Sequence, residues 1–220
     1  MSLPTVMNAA GSSSTSGSAV ISFIRHAEST ANAEQRLVGR LDAALSVRGL
    51  AQAEAAADFF NPVAKLLSSP LMRTRQTAAA LVPGQKPEIE AAVIELDYGV
   101  LDGLKLNDVP RDIWARWSSD ADFAPEGGES LNELQLRVGR WLDEQFDDPQ
   151  GLARSADQRM LVVSHVSPIK AAVAWALRSD PLTSFRLRLD HLTETSLIWG
   201  PQGPVLKCFN APLSVKELGN

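Results

Sequence analysis

The sequence predicts an α/β chain, a three-layer α/β/α sandwich around a mostly parallel sheet, and three observations lead there. Apolar runs at Val20 to Ile24, Leu66-Leu67 and Leu161 to Val163 are too short for helices, and each stops on polar residues. Helical patterns lie between these runs, and such alternation favours parallel strands covered by helices. With 220 residues, 45% of them hydrophobic, the chain is sized for one good core rather than two.

Taken in order, Val20 to Ile24 reads as a strand buried on both faces, and it ends on Arg25-His26. Ser46 can cap an alanine-rich helix over Val47 to Phe60. The next strand, at Leu66-Leu67, leads through Ser68-Ser69-Pro70 into a helix, with Ser69 as N-cap and Pro70 at the first helical position. Ala91 to Ile94 is followed directly by Glu95. Ser130 and Glu133 form a capping-box pair, and Leu131, Leu134, Val138, Trp141, Leu142 and Phe146 make a core stripe at helical spacing. Leu161 to Val163 runs into Ser164-His165, with Ser167 as N-cap and Pro168 opening a helix. Finally, Thr195 to Trp199 and Val205 to Phe209 flank a Gly/Pro-rich turn and predict an edge hairpin.

The charge balance narrows the functional classes. A net charge of −5 and a pI near 5.3 argue against general binding to nucleic acid or an anionic membrane. Cys208 is the only cysteine and lies in a strand-like run, so it reads as a buried structural thiol. Residues 1–18 are small and polar, which predicts a disordered tail ahead of a single domain over 19–220. That tail has neither a basic nor an apolar signal region, and no 18-residue apolar stretch follows. A cytoplasmic protein is the expectation.

In open α/β sheets, ligands collect at the carboxyl ends of the strands. Three predicted strand ends carry Arg25 with His26, then Arg73, then His165, all able to donate to an anion, beside helix N-termini that add partial positive charge. Unprotonated imidazole is a nucleophile near neutral pH, and guanidinium is a forked clamp for phosphate oxygens. Glu95, a carboxylic acid among these basic groups, suits protonation of a leaving alkoxide.

The motifs Arg25-His26-Ala27-Glu28-Ser29 with Asn32, Gly39 to Asp42, Ser69-Pro70 to Arg73, Glu95 to Gly103, Gly127-Gly128-Glu129-Ser130 and Ser164-His165 resemble the histidine phosphatase, or phosphoglycerate mutase-like, superfamily. The resemblance runs from about Val20 almost to the C-terminus. Val163 to Lys170 and Arg188 to Leu192 are most similar to the α-ribazole-phosphatase-like branch, which includes actinobacterial phosphatase domains joined to a ribonuclease H domain; no such second domain is expected here.

The resemblance implies a metal-independent acid phosphatase without a cofactor, acting on a small phosphorylated metabolite. His26 would become phosphohistidine, Glu95 would be the acid, and Arg25, Arg73 and His165 would bind the phosphoryl oxygens. Asn32, Gly39 and Val166 match substrate-side positions, while Arg40 and Asp42 could shape a loop. Glu95 is favoured over Glu28 and Asp97 as the acid, with Asp97 and Asp102 holding the loop, and the family motif selects Arg73 over Arg75. His191 has no motif support and reads as a strand-edge or surface residue. The chain departs from the family at Ala27 and Val166, where glycine is usual.

Two alternatives remain: cofactor-dependent phosphoglycerate mutase-type phosphotransfer, and a non-catalytic scaffold that binds a phosphorylated partner. The short, arginine-poor interval from Glu95 to Gly127 favours hydrolysis over the first, and retention of both nucleophile and acid disfavours the second. Leu104 to Glu126, with Trp114, Trp117 and Phe123, reads as a lid whose aromatics either stack on substrate or form their own small core.

Overall fold

The structure is a computed structural model that describes residues 20–57, 59–60, 63–147, 159–200 and 202–213. The predicted tail, 1–18, lies outside the described residues. Six strands, β1 (Val20–Arg25), β2 (Lys65–Ser68), β3 (Glu88–Ile89), β4 (Arg159–Ser164), β5 (Thr193–Gly200) and β6 (Gly203–Pro212), form one sheet in the order β3-β2-β4-β1-β5-β6. Pairings among β3, β2, β4 and β1 are parallel, and β5 and β6 join antiparallel as the predicted edge hairpin.

Side chains alternate across this sheet and build two cores. Phe23, Met160 and Val162 face helices α5 (Leu131–Asp147) and α6 (Val166–Ala176), where Leu134, Val138, Leu142 and Ile169 complete the packing. Ile24, Leu66, Leu161 and Val163 face the other way, against Ala78 and Leu81 of α3 (Met72–Leu81). Three layers follow from apolar side chains on both faces of the parallel strands. Every residue of the predicted 131–146 stripe is buried, and Ser130 and Glu133 form the reciprocal cap.

Three predicted helix boundaries are corrected. Helix α2 is Val47–Ala55, capped by Ser46 as expected, and it stops before Phe60. Phe60 is instead buried beside Leu66 and Leu81, which requires the chain to turn away from the helix axis. Helix α3 starts at Met72, its N-terminus bonded by the Asp42 carboxylate, so Ser69 is not the N-cap. Helix α6 starts at Val166 with His165 at the cap, which puts Ser167 inside the first turn. In both strand-to-helix turns the serine also bonds another segment, Ser69 Oγ to His165 and the Ser167 N–H to Glu95.

Candidate active site

His26 sits directly after β1 and is 3% exposed. Its Nδ1 lies 2.6 Å from the Ala27 carbonyl, and Arg73 Nε approaches its Nε2 at 3.3 Å. One tautomer satisfies both contacts, with the proton on Nδ1 and the lone pair on Nε2. Burial, reinforced by Arg73 and Arg25, holds this imidazole well below the ordinary histidine range and keeps it unprotonated. Ala27 puts its methyl in a small cluster with Leu45 and Ala53, so the departure from glycine is absorbed.

Arg73 is fully buried on the first turn of α3. Its Nη1 donates to Leu41 O and its Nη2 to Gly39 O, each at 2.8 Å. These bonds aim Nε at His26. Gly39 lets this loop pack closely on the segment after Glu95, because a Cβ there would meet Leu96 O at 2.7 Å. The Asp102 carboxylate accepts from the Gly39 and Leu41 N–H groups and holds this loop, as expected. Arg25 donates from Nη1 to Leu189 O at 2.6 Å, while its Nε is buried without a partner among the described residues. Desolvation, partly offset by Glu95 and Asp190, brings this guanidinium down to about 10.

His165 is fully buried, 5.1 Å from His26 between ring centroids. Its Nε2 lies 2.7 Å from Ser69 Oγ, and its Nδ1 has no partner among the described residues. Burial, then Arg73, lowers it well below the usual histidine value, so it too is neutral. Local sequence marks Ser69 only as a cap. It joins the end of β2 to the end of β4, a contact between residues 96 apart that no local pattern signals.

Glu95 is 4% exposed, following a 3-10 turn over Ala91–Val93. Its Oε1 accepts from Leu96 N at 2.8 Å and from Ser167 N at 3.1 Å, while Oε2 has no hydrogen bond among the described residues. Arg137, which sequence reasoning missed, donates to the Ala92 and Ile94 carbonyls and pairs with Glu129, fixing the backbone ahead of the acid. The competing carboxylates are occupied elsewhere. Glu28 accepts from Ser46 Oγ, and Asp97 accepts from Gly99 N.

The predicted substrate-side residues separate. Gly39 belongs to the Arg73 cradle. Asn32 completes the cap of a short helix through Ser29, which occupies its Oδ1. Val166 opens α6 and lines a cavity next to Ser167. The surface reading of His191 is corrected: its ring lies 5.7 Å from that of His26, and its Nε2 is buried without a partner. A left-handed Leu192, whose N–H donates to Arg25 O, turns the chain back over the site. Burial and Arg25 push His191 down to about 4. Cys208 is half-buried rather than buried, with Sγ 3.0 Å from Ser196 Oγ.

Two histidines, two arginines and a carboxylic acid thus converge at the carboxyl ends of β1, β2 and β4, and a family model described as the histidine phosphatase superfamily, branch 1, matches residues 21–212. The chain belongs to that superfamily. A bifunctional protein of Mycobacterium tuberculosis is 31% identical over 176 residues, 76% of this chain, and the chain spans about half (47%) of that relative's length. Phosphoserine phosphatase 1 of Hydrogenobacter thermophilus is 34% identical, covering 72% of this chain and 76% of the relative. A mycobacterial glucosyl-3-phosphoglycerate phosphatase has the same fold, with a TM-score of 0.76 at 25% identity, covering 88% of this chain and 99% of the other. Other members of the superfamily that this chain resembles are named as mutases: a probable phosphoglycerate mutase of Salmonella newport is 31% identical over 77% of this chain and 83% of its own length.

Among the described residues, no group of three or more His, Cys, Asp or Glu side chains is arranged to hold a metal ion, and no helix is long and apolar enough to cross a membrane.

Proposed function

We propose that the chain is a metal-independent phosphomonoester hydrolase for a small phosphorylated metabolite, working through phosphohistidine at His26. The observation that carries this reading is a neutral, buried His26 whose Nε2 lone pair is free of a proton and lies beside Arg73, with the Glu95 carboxyl near enough to act on both Arg73 and Arg25. The 3.3 Å contact from Arg73 is long, and an entering phosphoryl group displaces it and takes the guanidinium N–H onto its own oxygen. The Nε2 lone pair then forms the N–P bond while the ester P–O bond breaks in line. Glu95 gives its proton to the departing oxygen, and afterwards, as carboxylate, it takes a proton from the water that cleaves N–P and frees inorganic phosphate.

Arg25, Arg73 and His165 bind the phosphoryl oxygens. Such preorganised donors are worth roughly 3 kcal/mol each in a site shielded from water. Residues 19–220 act as one catalytic domain, in the cytoplasm, with no cofactor and no nucleic-acid or membrane partner. Hydrolysis is preferred to mutase phosphotransfer because the interval from Glu95 to Gly127 carries only Lys105, Arg111 and Arg116 as cations, too few to seat a second phosphorylated ligand while phosphohistidine waits.

The test is phosphate release from a panel of phosphomonoesters in the presence of chelator, with acid-quench trapping of the phosphoenzyme. Label on His26 supports the proposal. Label elsewhere, chelator-sensitive turnover, or interconversion of phosphoglycerates with negligible hydrolysis of any ester overturns it.

A further inference from the structure

A cavity of about 180 Å³ opens beside Glu95, with Ser167, whose N–H bonds the Glu95 carboxylate, in its wall. An acid that protonates the leaving oxygen must lie next to it, so the alcohol part of a bound ester extends into the space adjoining Glu95. The walls of that space are mostly apolar, with Trp114, Trp117, Leu131, Pro181 and Phe185, and Tyr98, Gln135 and Ser184 add polar groups among them. A dry cavity of about 150 Å³ takes a benzene ring, so this one seats a single ring or an apolar body of similar bulk.

One lining residue is charged. Lys170 stands one turn along α6 from Val166 and Ser167, on the same side of the helix, and it is half-buried. Among the described residues, its Nζ makes no hydrogen bond and no ion pair with a carboxylate. Loss of hydration lowers this amine from its ordinary value, with Arg25 acting in the same sense and Glu95 in the opposite one. Trp117, in the same wall, holds its indole Nε1 buried without an acceptor. Among the described residues this wall thus holds one buried donor without a partner, Trp117 Nε1, and one buried acceptor without a partner, Gln135 Oε1, while the partly desolvated Lys170 ammonium, the one charged group in it, calls for a charged acceptor.

We infer that Lys170 selects the substrate, and that the chain hydrolyses phosphomonoesters of compact hydroxy acids in which a single ring or equivalent apolar body separates the ester oxygen from a carboxylate. A carboxylate rather than a second phosphate matches the site, because one ammonium neutralises one charge and the wall offers no other cation. This rests on the proposed hydrolase activity and goes beyond it by specifying the alcohol. The apolar body packs against Trp114 and Phe185, and the carboxylate accepts from Lys170 Nζ.

A pair of esters separates this inference from the hydrolase reading. 4-Carboxybenzyl phosphate and 4-carbamoylbenzyl phosphate have nearly the same shape and differ in charge, with a methylene insulating the leaving oxygen from the substituent. The wild-type chain is expected to favour the carboxylate in kcat/KM by about tenfold to a hundredfold, as a charge-assisted hydrogen bond gives. In Lys170→Met that ratio falls toward one, and in Lys170→Glu it inverts. Independently of any variant, 4-(aminomethyl)benzyl phosphate, cationic at neutral pH, should rank below the amide with the wild-type chain.

Hydrolysis of the two esters at equal kcat/KM by the wild-type chain overturns the inference and leaves the hydrolase intact. A carboxylate preference that persists undiminished in Lys170→Met overturns the role of the lysine. Hydrolysis of neither ester, with none of any phosphomonoester in the panel, overturns both readings together.

Discussion

The phosphoryl end of the site and the cavity beside it are built on opposite principles. At the phosphoryl end, His26 is positioned by the Ala27 carbonyl, Arg73 by Gly39 O and Leu41 O, Arg25 by Leu189 O, and Glu95 by two N–H groups, all of them backbone, with only His165 held by a side chain, Ser69 Oγ. The cavity is lined instead by side chains from the lid segment, from α5 and α6, and from the 3-10 turn over Pro181–Arg186. Backbone fixes geometry to within a few tenths of an ångström, whereas side chains on lid and turn can be exchanged without moving the strands. The lesson is a division of labour: the chemistry sits on the sheet, and the choice of alcohol sits on what covers it.

If that division holds, changes at the phosphoryl end should reduce turnover of every ester alike. His26→Ala removes the nucleophile, and the expected loss is about 10⁵-fold or more, the order seen when a covalent nucleophile is deleted. Circular dichroism should show an intact fold, and the phosphoenzyme should vanish for every ester. Residual turnover that varied strongly with the alcohol would break the comparison at its strongest point.

Glu95 stands on the boundary between the two regions, so its effect should depend on the leaving group. Glu95→Gln keeps the shape and removes the transferable proton. The expected loss in the rate of phosphoenzyme formation is about 10²–10⁴-fold for an alkyl phosphate and distinctly less for p-nitrophenyl phosphate, which expels a better leaving group. Single-turnover measurements isolate this step from the later attack of water. Equal losses on both esters would remove the acid role.

The same division explains what is legible in the sequence. Strand ends, and the side chains they carry, follow from short apolar runs that stop on polar residues, so Arg25, His26 and His165 stand out locally, whereas Arg73 over Arg75 and Glu95 over Glu28 and Asp97 are singled out by the family motif, Arg73 lying in a helix and Glu95 after a 3-10 turn. The Ser130–Glu133 cap and the stripe below it are equally plain, because both are local periodicities. Contacts between distant segments are not. Ser69 bonds His165 across the sheet, Arg137 holds the carbonyls of Ala92 and Ile94, and His191 is turned inward by one left-handed residue. None of these leaves a mark in its own stretch of sequence. The lid is half legible: Trp117 and Phe123 form its core with Val109 and Leu37, while Trp114 packs at its edge and also lines the cavity.

Burying three neutral histidines at one end of the sheet has a consequence for stability. Unfolded imidazoles take up protons near pH 6.5, whereas native His26, His165 and His191 are all lowered, the last to about 4. Below pH 6.5 the unfolded chain therefore binds more protons than the native one, and stability falls as pH falls through that window. Each histidine that stays unprotonated contributes at most about 1.4 kcal/mol per pH unit. Urea midpoints from pH 7 to pH 5 should show the decline, and His191→Asn should lessen its slope. Midpoints that rose on acidification would show that the imidazoles are protonated in the native state.

The smallest effect expected belongs to the lid. Trp114 lines the cavity with one side and touches the small lid core with the other, its ring centroid 5.4 Å from that of Trp117. An aromatic contact of this kind is worth about 0.5–1.5 kcal/mol, so Trp114→Ala should cost about twofold to tenfold in kcat/KM for an ester whose alcohol carries a ring. Glycerol 1-phosphate, which carries no ring, should be affected less, because it cannot pack against the indole. The rate of phosphoenzyme hydrolysis, which follows departure of the alcohol, should stay unchanged for both esters. Equal losses on ringed and ringless esters, or a slower hydrolysis step, would mean that the lid shapes the phosphoryl end itself, and the two regions would then have to be treated as one.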